Sequence, residues 1–136
     1  MKEYDPIALK KFSALIKKEE GAQEWLVENG YRELNELWDS ICGIEKSFQW
    51  LKNNGFVHLA AMTDAIHGNK QARAWLIQHG YRILAGVCDA ADGNKIAVAL
   101  LLKLQETDWL NAAKAMHDFF KKKEKKSIFN FGNPFS

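Results

Sequence analysis

The chain has 136 residues, 47% of them hydrophobic and 26% charged, a balance that suits one soluble globular domain and excludes extended disorder. Net charge is +2, of which residues 121–126, KKKEKK, contribute +4 and the remainder −2, too little to draw a nucleic-acid or membrane partner by charge alone. Two cysteines, Cys42 and Cys88, exclude a disulfide framework and suit a reducing, cytoplasmic setting; the longest apolar run, IAVALLL at 96–102, is too short to span a bilayer.

In chain order, the first predicted element is a helix over residues 5–17. Leu9, Phe12 and Ile16 share one face, while Lys10, Lys11, Lys17 and Lys18 give it the wet outer face of an N-terminal cap. A 25-residue period follows. Trp25, Trp50 and Trp75 fill one slot, with Leu100 in the fourth place, and Leu26, Leu51, Leu76 and Leu101 fill the next. Gly30, Gly55 and Gly80 come five residues after each Trp and precede Tyr31, Phe56 and Tyr81; Asp39, Asp64 and Asp89 share a slot, as do Gly43, Gly68 and Gly93. Units 18–42, 43–67 and 68–92 each divide at their glycines into two segments whose apolar residues recur at helical spacing, so each unit reads as a tight helical hairpin. Asn69 and Asn94 suit the caps of the helices they precede. Unit 93–120 keeps the first-helix pattern, but Gln105 and Lys114 stand where glycine and Asp stood, and a helix opened by Thr107 and Asp108 carries Trp109, Ala113, Met116 and Phe120. It reads as a degenerate terminal cap. The domain therefore covers 1–126, and 127–136 (SIFNFGNPFS) forms an aromatic tail. Its Ile128, Phe129, Phe131 and Phe135 are expected to fold back on the domain, engage a partner or pair with a second copy.

Small residues at Ala22, Ser47, Ala72 and Ala97, and at Ser40, Ala65, Ala90 and Ala115, allow close helix approach. No hairpin this short buries its apolar face alone, so units must stack. The predicted fold class is all-α: a right-handed α-solenoid, an αα superhelix of about four and a half hairpins with a cap at each end. The segment GNKQARAWLIQHGY, preceded by LAAMTDAIH, resembles the helix pairs of ankyrin repeats over about 85 residues. That resemblance implies stacked helix pairs. It does not imply the β-turn finger with which many ankyrin proteins grip partners, because the Thr-Pro-Leu-His segment is missing and the unit is shorter than the usual ~33 residues.

The repeated tryptophans read first as stacking residues. A buried indole N–H needs an acceptor, so Trp25 is expected to meet Asp39, Trp50 Asp64 and Trp75 Asp89; the other reading has each Asp cap the next helix or pair with a basic neighbour. Cys42, His67, Asp92 and His117 form a row of metal-ligand types, but successive units lie about 8–10 Å apart, whereas donors sharing one zinc lie within about 4 Å. No metal or cofactor is expected. No nucleophile constellation emerges, since Cys88 falls on an apolar helix face, and the glycine turns lack the ending of a phosphate loop.

Variation between units locates the expected partner-binding strip at Asn35, Trp38, Cys42, Thr63, His67, Cys88, Asp92 and His117. Trp38 is its exposed anchor, or else packs under the first helix. The function expected is a non-enzymatic protein- or peptide-binding scaffold. The alternatives are a nucleic-acid-associated protein using the lysines of 121–126, or a small enzyme whose site the sequence does not reveal.

Overall fold

The computed structural model describes residues 4–132, with side chains for residues 4–125. Among the described residues there are nine helices and no strand: α1 (Pro6–Ile16), α2 (Ala22–Glu28), α3 (Arg32–Ile41), α4 (Glu45–Asn53), α5 (Val57–Ile66), α6 (Lys70–Gln78), α7 (Arg82–Ala91), α8 (Lys95–Lys103) and α9 (Thr107–Gly132). α9 thus runs unbroken through the start of the expected tail. The side chains of Ile128, Phe129 and Phe131, and the whole of Phe135, lie outside the described residues.

Local chemistry sets the helix ends. Asp5 caps α1, its carboxylate accepting from Ile7 N at 2.8 Å with Pro6 at the first helical position. Asn69 and Asn94 cap α6 and α8, accepting from Ala72 N at 2.9 Å and Ala97 N at 3.0 Å. α6 ends at Gly80, φ +86, after which Tyr81 N donates to Leu76 O at 2.8 Å, a left-handed terminus that glycine adopts without side-chain strain. One period on, Gln105 takes φ +59 and Glu106 N donates to Leu101 O at 2.9 Å, so the same turn is made there by a residue that disfavours it.

The odd-numbered helices pack in succession, α1 on α3, α3 on α5, α5 on α7 and α7 on α9, and α9 packs on α1. Each even-numbered helix packs against the two odd helices that flank it. The two ends of the chain's helical series therefore meet, which an open superhelix with a free cap at each end would not allow. Five helices spaced about 9 Å apart place their axes about 8 Å from a common centre, leaving a radius of about 5 Å beyond the backbones, room for one ring of Leu-sized side chains.

Three layers of side chains at helical spacing supply that filling. Leu9, Leu34, Leu59, Leu84 and Trp109 form the first, Phe12, Leu37, Met62, Val87 and Ala112 the second, and Ile16, Ile41, Ile66, Ala91 and Met116 the third; all but the partly covered Ile66 are buried. Size is traded at the closing joint. Phe12 of α1 faces a layer to which α9 gives only Ala112, and Trp109 of α9 lays its edge on Phe12 at 6.2 Å and meets Tyr4 at 6.1 Å.

Among the described residues no helix covers the joint between α9 and α1, and the residues there differ accordingly. Where α3, α5 and α7 place Asn35, Ala60 and Ala85, all buried, α1 places exposed Lys10; where they place Glu36, Ala61 and Gly86, α9 places exposed Asn111. Polar side chains finish this seam against water. Among the described residues no helix is long and apolar enough to cross a membrane.

Candidate functional site

Half of the strip predicted from unit-to-unit variation, Asn35, Trp38, Thr63 and Cys88, is buried. Trp38 is only 7% exposed and sets its ring edge-on to Phe119 of α9 at 4.9 Å, so it is no exposed anchor. Its slot faces the interior because the far half of α9 reaches over it. Asn35, Thr63 and Cys88 are buried as well. Asn35 Nδ2 donates to Gln23 O at 3.1 Å, Ser40 Oγ donates to Thr63 Oγ1 at 3.0 Å, and Cys88 Sγ lies 3.6 Å from Met62 O. Burial holds the Cys88 thiol far above its usual range, with Asp89 adding to the effect, so it is a packing residue and not a poised thiolate.

His67 and His117 share one structural role. The His67 ring lies with Nε2 at 2.9 Å from Ile41 O, and His117 with Nδ1 at 2.9 Å from Ala91 O. In each case the imidazole satisfies a carbonyl at the end of the preceding odd helix, which the helix itself leaves without a partner. Of the strip, only Cys42 and Asp92 remain exposed without such a bond. Partial burial and then Asp39 push the Cys42 thiol up, against the pull of Lys123 and Lys18.

The tryptophan row lies half-buried beside the turns and does not use the aspartates. Trp25 stacks on Tyr31 (6.0 Å, 4°), Trp50 on Phe56 (5.7 Å, 12°) and Trp75 on Tyr81 (6.0 Å, 10°). Each Trp carbonyl accepts from the side chain four residues on, Asn29 or Asn54 Nδ2 or His79 Nδ1, at 2.8 Å. Asp89 instead takes a two-pronged ion pair from Arg73, at 2.8 and 2.9 Å, the basic-neighbour alternative. Asp39 has its carboxyl raised by partial burial and then Glu36.

Titratable groups converge at the opposite end of the ring. Tyr4 OH donates to Glu33 Oε2 at 3.2 Å, burial and that carboxylate holding the phenol far above its usual range. The His58 ring stacks on Tyr81 at 4.9 Å and 9°, and burial lowers its pKa. Among the described residues no group of three or more His, Cys, Asp or Glu side chains could hold a metal.

Two surfaces stand out that sequence reasoning passed over. α8 carries apolar residues well beyond its covered face: Ala97 and Leu101 are buried, whereas Ile96 is 81% exposed and Leu100, Leu102 and the capping Leu104 are each about half exposed. The run IAVALLL was itself the signal, since a helix hydrophobic all round calls for cover on more than one side. The second surface is a groove of about 740 Å³ between the end of α1 and the middle of α9, bounded by Ile16, Phe119, Lys17, Lys18, Lys122 and Lys123. Both lysine pairs were visible as separate runs; only the meeting of α1 with α9 brings them together. No protein-family model matches the chain, and neither a curated protein nor a solved structure matches it, so the likeness to ankyrin helix pairs rests on the quoted residues alone.

Proposed function

We propose that the chain is a non-enzymatic protein-binding scaffold, built from 25-residue helical hairpins wound in a right-handed sense, that acts in the cytoplasm. The observation that carries this reading is the outer face of α8. Ile96, Leu100 and Leu102 are exposed on one short helix, an amount of uncovered apolar surface that suits an interaction site. Its flanks are Lys95 and Lys103, with no carboxylate on the helix, which suits a partner surface with an apolar centre and an acidic edge. Supporting the hairpin description, odd helices start at Arg32, Val57, Arg82 and Thr107 and even ones at Glu45, Lys70 and Lys95, each one period apart. Both cysteines are unpaired, in keeping with a reducing compartment.

Affinity capture from host extract, read by mass spectrometry against an Ile96→Lys/Leu102→Glu variant of unchanged helix content, tests the reading. It predicts at least one protein retained by the native chain and lost by the variant. An identical set of captured proteins from both would refute it.

A further inference from the structure

The groove between the end of α1 and the middle of α9 has a chemistry distinct from the α8 face. Its wall carries four ammonium groups, Lys17, Lys18, Lys122 and Lys123, against a single carboxylate, Asp118. Among the described residues none of these lysines has a carboxylate within ion-pairing distance; the ion pairs present are Arg32 with Glu36 and Arg73 with Asp89. Four like charges held near one another repel, and that repulsion is relieved by an anionic occupant. Lys18 and Lys123 come from different elements, one just past α1 and one on α9, and both line the groove.

The floor is apolar. Ile16 and Ala115 are buried beneath it, and Phe119 is half-buried with one edge held by Trp38 at 4.9 Å and another by Phe120 at 5.8 Å. A ring already fixed by its neighbours loses little freedom when something packs on it. The volume of about 740 Å³ falls in the range of preformed ligand pockets, about 300–1,000 Å³.

We propose that this groove docks an acidic peptide segment of a partner protein, with a bulky apolar side chain of that segment seated on Phe119 and its carboxylates paired with Lys18, Lys122 and Lys123. A nucleic-acid strand fits the lining less well. Its phosphates would pass Asp118, and single strands are read on successive aromatic platforms along a cationic track, whereas here one ring lies inside one cluster of charges.

Selection of displayed random peptides of about a dozen residues against the full chain tests the proposal. The expected result is enrichment of sequences with several Asp or Glu around a Trp, Phe or Leu. A fluorescein-labelled copy of the best sequence should bind saturably and weaken about tenfold or more in Lys18→Glu/Lys123→Glu, both changes being at exposed residues. Phe119→Ala should weaken the peptide but leave a labelled single-stranded oligonucleotide unaffected. No enrichment, enrichment without acidic residues, or unchanged binding to the charge-reversed chain would overturn the proposal. So would an oligonucleotide that binds more tightly than the peptide and is lost on the same charge reversal. The Ile96→Lys/Leu102→Glu variant should bind the peptide normally, so this groove and the α8 face stand or fall separately.

Discussion

Trp109→Ala is the sharpest test of how the ring holds together. Trp109 is 3% exposed and lies at the joint of the first and last helices, with Tyr4 at 6.1 Å and Phe12 at 6.2 Å. Truncation removes about 150 Å² of buried apolar surface, about 4 kcal/mol at ~25 cal/mol per Å². The two edge contacts add about 0.5–1.5 kcal/mol each, and partial collapse of the space left behind offsets some of this. A loss of about 4–5 kcal/mol is therefore expected, a large share of the roughly 5–15 kcal/mol that holds a domain folded. Urea unfolding followed by circular dichroism measures it, and native-state hydrogen exchange should show α1 and α9 losing protection together. A loss below about 1 kcal/mol, or exchange in α9 that leaves α1 untouched, would refute the reasoning, because that is how a frayed terminal helix behaves.

Three further outcomes follow from the structure. His58 has its pKa lowered from 6.5 by burial, so the unfolded chain binds the proton more readily; stability contributed by the neutral ring is present above pH ~6.5 and lost as pH falls below it. His58→Leu should flatten the stability profile between about pH 7 and 5, and a slope unchanged by the substitution would contradict the assignment. Gln105→Gly should stabilise by about 1 kcal/mol, since Gln105 holds φ +59 where preceding units use glycine, whereas Gly80→Ala, with φ +86 and open space where the added methyl would point, should cost about the same; thermal melts with both signs reversed would sink the argument. Ser13 is buried with a hydroxyl that has no hydrogen-bond partner among the described residues, so Ser13→Ala should be neutral or stabilise by up to about 1 kcal/mol, and a marked loss in urea titration would show that the hydroxyl has a role.

The all-helical class was legible because glycines and helical spacing punctuate the chain at short range. Asn69, Asn94 and the Gly80 turn act through neighbours within about five residues, which a sequence displays directly. Closure was not legible. Whether successive helices rotate enough to bring α9 back to α1 depends on the sizes of side chains in the middle, such as Phe12 opposite Ala112, and a period records spacing but not rotation. Of the two readings of Trp38, exposed anchor or packed under the first helix, neither named its cover for that reason: Phe119 comes from a helix that an open array would place far away. For the Trp and Asp rows a direct bond was one reading and a basic neighbour the other; the indoles stack on Tyr31, Phe56 and Tyr81, and Asp89 pairs with Arg73. The cationic groove was out of reach for the same reason as closure, half of it lying at each end of the chain.

Closure of the ring underlies both the buried strip and the groove, and one distance tests it most directly. Lys10 of α1 and Lys114 of α9 line the same cleft at the joint. With each changed to Cys and spin-labelled in a Cys42→Ser background, where the remaining Cys88 is buried, pulsed electron paramagnetic resonance should give a single short separation, about 20 Å or less including the label arms, as adjacent helices require. A separation of about 35 Å or more, the span of four successive unit spacings in an open array, would contradict the account.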